Sequence, residues 1–297
     1  MTTILLNALS IMLVLFLALL LKKIGILHQK DGALTSKMVV YLTLPATILI
    51  GVNHTKLSNI FFILMFMGLF SNLLLVFLGK FIGRKATVEE RGLFMFDLSG
   101  YNIGNFSIPF VSSFFPAAIP FLAMFDMGNS LMVTGTTQAI VRKKHGFILQ
   151  EIFGVLFRNP PFVVYIFMFI LAIFGLSFPD EWLIPIRPLA NANTLLSIFT
   201  IGLFMEFRLP KGKLKLVLKI LTWRYLLAFI LASLVYFFLP FPAIIKEILL
   251  LIFFCPMSFL HMIQAIELGN DKALAGLTIS LSMFISLILM SIIVIIL

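Results

Sequence analysis

Charge is scarce in this sequence: only 11% of its 297 residues are Asp, Glu, Lys or Arg, against about 25% in ordinary soluble domains. Cysteine is scarcer still, since Cys255 stands alone and excludes an intramolecular disulfide. Four scattered histidines and that one thiol, without a His-Glu-x-x-His run, leave no ligand set for a zinc centre. No Gly-Lys-Ser or Gly-Lys-Thr occurs, so ATP hydrolysis on a phosphate-binding loop of that kind is excluded. Met1 to Leu21 lacks a basic leader and a small-residue cleavage site, and reads as a first membrane span rather than a removable signal peptide.

What is abundant is apolar surface. Hydrophobic residues make up 61% of the chain and fall in long runs separated by short polar clusters. A run of roughly 20 residues is what a helix needs to cross a ~30 Å hydrocarbon core. A water-soluble fold of this composition would aggregate, so the pattern predicts an all-α integral membrane protein. Ten spans are expected, at about 4–21, 38–52, 60–78, 92–114, 119–140, 162–176, 184–204, 220–239, 244–268 and 273–297.

The net charge of +10 points to topology, not to nucleic acid, because the basic residues sit between spans and are not interleaved with aromatics. Nineteen of the 22 Lys and Arg fall in alternate loops or within one turn of them, and only Lys56, Arg187 and Lys246 fall in the opposite set. The positive-inside rule then places both termini outside a plasma (cytoplasmic) membrane. Arg224, one turn into the eighth span beside Trp223, is expected to snorkel to the basic face, which leaves no cation at the bilayer centre. The longest basic connection divides the chain into 1–141, a linker 142–159, and 160–297. Five spans per half forces opposite orientations, the topology of two inverted five-helix repeats.

Two spans at matching positions carry helix breakers. The fourth reads Asn102-Ile103-Gly104-Asn105-Phe106-Ser107-Ile108-Pro109, and the ninth reads Cys255-Pro256-Met257-Ser258. Proline lacks an N–H and clashes with the preceding turn. Paired interruptions expose half-helix N-termini at mid-membrane, where free N–H groups and the positive dipole end favour an anion. Proline kinks without any ligand are also common in membrane helices.

These residues resemble the auxin efflux carrier family, in its bacterial branch of malate- and malonate-permease-like transporters. Asn102 through Pro109 is similar to the family's Asn, six residues, Pro crossover, Phe199 through Met205 to its seventh-span segment, and Pro256 with Ala265 and Glu267 to its ninth-span crossover. Pro45, within Thr43-Leu44-Pro45-Ala46, fits the second span. The sequence departs from bacterial members at Asn191-Ala192-Asn193-Thr194, where a proline is common, and lacks the long cytosolic loop of many plant exporters. The resemblance implies broken, crossing helices 4 and 9, a panel of spans 1, 2, 6 and 7, a moving bundle of 3, 4, 5, 8, 9 and 10, and elevator-type alternating access. Substrate would sit at the crossing.

The side chains assigned to a substrate carboxylate are Asn102, Asn105, Ser107 and Ser258, with His261 and the prolines Pro109 and Pro256 shaping the site. Each polar group has a plainer alternative in interhelical hydrogen bonding, and His261 in particular could satisfy a carbonyl freed by the break. Asp97 and Asp126, the latter near Asn129, are candidates for coupling to a proton or sodium, or else structural acids. Glu206 and Glu267 fall near span ends, where solvated or paired acids are ordinary. No cofactor is expected, the partners are a small carboxylate and the bilayer, and a homodimer stays open. An anion-binding sensor or channel, and an intramembrane enzyme using Asp97 and Asp126 as a pair, are the competing readings.

Overall fold

A computed structural model describes residues 2–142, 149–208 and 211–296. Lys143 and Lys144 of the predicted linker, and Leu297 at the end of the predicted tenth span, lie outside the described residues. Within them the fold is all-helical, with no strand. This is what a hydrocarbon environment demands, because a helix satisfies its backbone polar groups within one segment.

Six helices are long and apolar enough to cross a membrane: Leu6–Lys23, Asp31–Val52, Asn59–Ile82, Pro116–Arg142, Leu214–Phe238 and Lys272–Ile296. They coincide with the first, second, third, fifth, eighth and tenth spans read from the sequence. The second starts at Asp31, earlier than its apolar run, and passes through a π turn at Val39–Thr43 before Pro45. A proline withholds the amide that the preceding turn expects, and a π turn is one way a helix absorbs that loss.

The remaining predicted spans are shorter or divided. The fourth splits into Val88–Leu98 and a π turn Ile103–Ser107 that leads into Ile108–Ser112. The ninth splits into Ala243–Phe253 and Phe259–Glu267. Pro160–Ile173 covers 14 residues and Arg187–Phe204 covers 18.

The helices pack in two groups. In one, Thr2–Lys23 and Asp31–Val52 flank Arg187–Phe204, and Pro160–Ile173 lies against Leu44–Val52. Lys22 seals this group by donating through Nζ to the carbonyls of Gly202 (3.3 Å), Leu203 (3.0 Å) and Met205, the bare C-terminal end of Arg187–Phe204. In the other group, Asn59–Ile82 packs on Val88–Leu98 and on Ile119–Leu131, while Leu214–Phe238 packs on Ala243–Phe253 and Lys272–Ile296.

Small residues set the tightest contact. A Cβ at Gly68 would stand 2.1 Å from the Phe125 carbonyl oxygen, and one at Gly128 would stand 1.9 Å from that of Met65. Asn59–Ile82 and Pro116–Arg142 therefore touch backbone to backbone, the close approach that small residues allow in membranes. Large apolar side chains such as Leu13, Phe16, Phe70, Phe77 and Phe229 point outward from the helices, as a lipid solvent permits.

Candidate functional site at the crossing of the two broken helices

Helix Val88–Leu98 ends at Ser99, which turns extended, and Gly100 follows with φ +69°. The freed chain pairs with the break of the other segment. Tyr101 and Met257 form an antiparallel bridge, with the Asn102 N–H donating to the Pro256 carbonyl at 3.0 Å and the Ser258 N–H to that of Gly100 at 3.3 Å. Gly100 is required twice over. Its φ lies in the left-handed region, and a Cβ there would stand 2.3 Å from Nδ1 of His261.

Two half-helices that stop inside the protein leave carbonyls without in-helix partners, and those in the last turn of Val88–Leu98 all find partners at this crossing. Ser99 Oγ donates to the Met95 carbonyl at 2.7 Å. His261 Nδ1 meets the Phe96 carbonyl at 2.8 Å; since a carbonyl only accepts, this nitrogen carries the proton. Arg224 takes the rest. Its Nη1 donates to the carbonyls of Asp97, Leu98, Ser99 and Gly100 at 3.0–3.2 Å, and its Nη2 to those of Cys255 and Pro256 at 2.9 and 3.3 Å.

This corrects the expectation that Arg224 snorkels to the basic face. The residue is 2% exposed, and its guanidinium lies 5.1 Å from the centre of the Tyr101 ring. The physical reason is that two helix C-termini converge on it, with their negative dipole ends and free carbonyls, and a guanidinium offers a rigid planar fork of donors. Sequence depth alone did not reveal that pull.

The distal halves present the opposite chemistry. In-helix hydrogen bonding after the first break begins with the N–H groups of Phe106 and Ser107, both donating to the Asn102 carbonyl at 3.1 and 3.2 Å. The preceding Ile103, Gly104 and Asn105 line a cavity of about 180 Å³. After the second break it begins at His261 and Met262, both bonded to the Ser258 carbonyl, and the preceding Phe259 and Leu260 line the same cavity. Two helix N-termini thus open on one space.

Of the predicted substrate residues, the structure brings Asn102, Asn105 and Ser258 together on this cavity wall. Asn102 is 6% exposed and its side chain makes no hydrogen bond among the described residues. Asn105 has a buried Oδ1 without a partner. Both also line a second, much smaller space of about 20 Å³ on the side of Ser197 and Thr200, so they form the partition between the two.

Ser107, Pro109, Pro256 and His261 do not line the cavity. Ser107 Oγ is buried and unpartnered elsewhere. Pro109 opens the Ile108–Ser112 helix, and its carbonyl accepts from Thr194 Oγ1 of the other packing group at 3.1 Å. Pro256 serves the crossing through its carbonyl, as does His261 through its ring.

The two acids separate. Asp126 lines the cavity, its Oδ1 accepting from Asn129 Nδ2 and its Oδ2 from the Tyr165 hydroxyl, both at 2.8 Å. Asp97 does not line it; its backbone carbonyl goes to Arg224 and its Oδ2 is buried without a partner. Asn129 also accepts from the Tyr101 N–H at 3.1 Å and donates to the Tyr101 carbonyl at 2.9 Å. Asn72 completes the chain, receiving the Gly100 N–H at 2.5 Å and donating to Asn129 Oδ1 at 3.1 Å. The unwound strand is therefore paired on one edge by the other break and on the other edge by two asparagine side chains.

Arg224, Asn72 and Tyr165 are residues that sequence reasoning missed. Asn72 did leave a signal, a lone amide beside Ser71 in the middle of a third span that is apolar elsewhere. Among the described residues no group of three or more His, Cys, Asp or Glu is placed to hold a metal ion. Comparison of the chain with protein-family models gives no match, and comparison with curated proteins gives none either.

Proposed function

We propose that this chain is a secondary transporter that moves a small organic anion, a mono- or dicarboxylate, by elevator-type alternating access, as a member of the auxin efflux carrier family. The observation that carries this reading is the cavity at the crossing, where two helix N-termini and the Asn102 and Asn105 side chains converge on a wall that has no basic side chain among the described residues. Backbone N–H groups at a helix start attract negative charge, and two such starts on one space suit a carboxylate.

The two packing groups supply the machinery. Read as ten membrane helices in two inverted five-helix repeats, 1–141 and 160–297, the group of Thr2–Lys23, Asp31–Val52, Pro160–Ile173 and Arg187–Phe204 is the fixed panel. The group that holds both broken segments is the moving bundle. The cavity lies between them, walled by Val40, Leu44, Phe162 and Tyr165 on the panel side, and it extends to Asn159, the last residue of the basic linker. On this reading the conformation is open towards the cytosol.

Away from that opening, panel and bundle are in direct polar contact. Asn7 Nδ2 donates to the Ser113 carbonyl at 2.6 Å, and Thr194 Oγ1 donates to that of Pro109. A row of Phe106, Phe110 and Phe114 runs along the distal half-helix that carries Pro109, with ring centres 6.2 and 5.0 Å apart. These contacts suit the closed side of an alternating-access cycle, in a plasma membrane with both termini outside.

The test is uptake of labelled malate, malonate and indole acetate into liposomes that hold the purified protein. Saturable flux of at least one carboxylate is expected. Binding without flux points to a sensor, and the absence of both sinks the carrier reading.

A further inference from the structure

Asp126 is the single Asp, Glu, Lys, Arg or His among the described residues that line the crossing cavity, and it poses a problem for an anion site. A carboxylate bound in this cavity shares it with Asp126, and two carboxylates in one site disfavour each other's ionisation. Among the described residues no cation on the cavity wall relieves this. Arg224 is committed to backbone carbonyls and lies outside the wall, as does Asp97.

The groups that face Asp126 are known on each neighbouring element. Tyr165 comes from Pro160–Ile173, and Asn129 from its own helix. Tyr101 and Gly104 come from the crossing chain, and a Cβ at Gly104 would be in ordinary contact with Oδ2 at 3.7 Å. Asn72, from Asn59–Ile82, reaches Asp126 only through Asn129. The buried thiol of Cys255 and the two tyrosine hydroxyls are the further titratable groups on this side, and all three are neutral in ordinary conditions.

We infer that Asp126 is the coupling residue of the carrier, taking up one solvent proton when a carboxylate enters the cavity and releasing it on the opposite side when the carboxylate leaves. The inference rests on the carboxylate-carrier reading of the same cavity. The proton adds to a carboxylate oxygen of Asp126 and no other bond is made or broken. The Tyr165 hydroxyl, which donates to Oδ2 of the ionised form, can turn to accept from the protonated form. Asp126 belongs to the bundle and Tyr165 to the panel, so the same hydrogen bond links the charge state of the site to the contact that must open.

The experiment uses the full chain in liposomes with labelled malonate, the membrane potential clamped, and a pH gradient of one unit, acid outside. One proton per substrate predicts accumulation approaching tenfold. Asp126→Asn should bring accumulation to unity, and whatever malonate exchange it retains should no longer vary with pH. Tyr165→Phe should keep coupling but move the midpoint of the pH profile, whereas the loss of a purely structural contact would lower the rate equally at every pH.

Wild-type protein that exchanges malonate but accumulates none overturns the coupling and leaves the carrier reading standing. So does an Asp126→Asn variant that still accumulates tenfold. Wild-type protein that neither binds nor moves a carboxylate removes the carrier reading, and this inference with it.

Discussion

Asn129 clasps Tyr101 at both ends of its backbone, accepting from the N–H at 3.1 Å and donating to the carbonyl at 2.9 Å. A side chain here does what a neighbouring strand would do in a sheet. Asn129→Ala would leave a buried N–H and a buried carbonyl without partners, at about 1–3 kcal/mol each. The expected outcome is a loss of about 3 kcal/mol or more in stability, read as a lower melting temperature in detergent. An unchanged melt would show that the clasp is dispensable.

Arg224 should tolerate no replacement well. Methionine keeps much of the volume but abandons six carbonyls in the interior. Lysine keeps the charge with only three donors on one atom, and cannot span two helix ends as a planar fork does. We expect little folded Arg224→Met protein and a melting temperature for Arg224→Lys between that variant and wild type. Size-exclusion profiles and thermal scans in detergent check both.

Asn102→Ala separates binding from folding. Its side chain makes no hydrogen bond within the described protein but lines the cavity, so the variant should fold normally. Loss of one amide contact to a carboxylate is expected to weaken affinity about tenfold, or ~1.4 kcal/mol. Equal affinity in wild type and variant, measured by titration, would remove Asn102 from the site.

Gly68→Ala and Gly128→Ala should each destabilise the bundle sharply, because the added methyl meets a backbone carbonyl at 2.1 or 1.9 Å and backbone cannot step aside like a flexible side chain. Gly154→Ala is the control, with nothing within 4 Å of its added Cβ. That variant is expected to match wild type or gain up to about 1 kcal/mol from its helical position. Thermal scans of the three proteins side by side decide the matter.

The helices were legible wherever one apolar run maps onto one element, since hydrocarbon thickness fixes the length. The two breaks were legible as well, because Pro109 with Gly104 in the first and Pro256 in the second change backbone options locally. Contacts between distant segments were not. Depth along a span suggested an interfacial Arg224, but what decides its place is the meeting of two carbonyl-rich helix ends more than 100 residues apart in sequence. Facing was equally hidden, as Ser107 and Asn105 lie two residues apart and only the latter reaches the cavity. Asn72 and Tyr165 bear on the site only through partners that the chain supplies from elsewhere.

Arg224 belongs to neither broken segment, since it projects from Leu214–Phe238 and grips both. Three stretches of chain consequently share one fulcrum. A displacement applied to any of them is transmitted to the other two through a single planar group, so in the carrier cycle proposed above the crossing would move as a solid joint. Compliance has to reside at its edges, in the contacts made by Asn7, Thr194 and Tyr165.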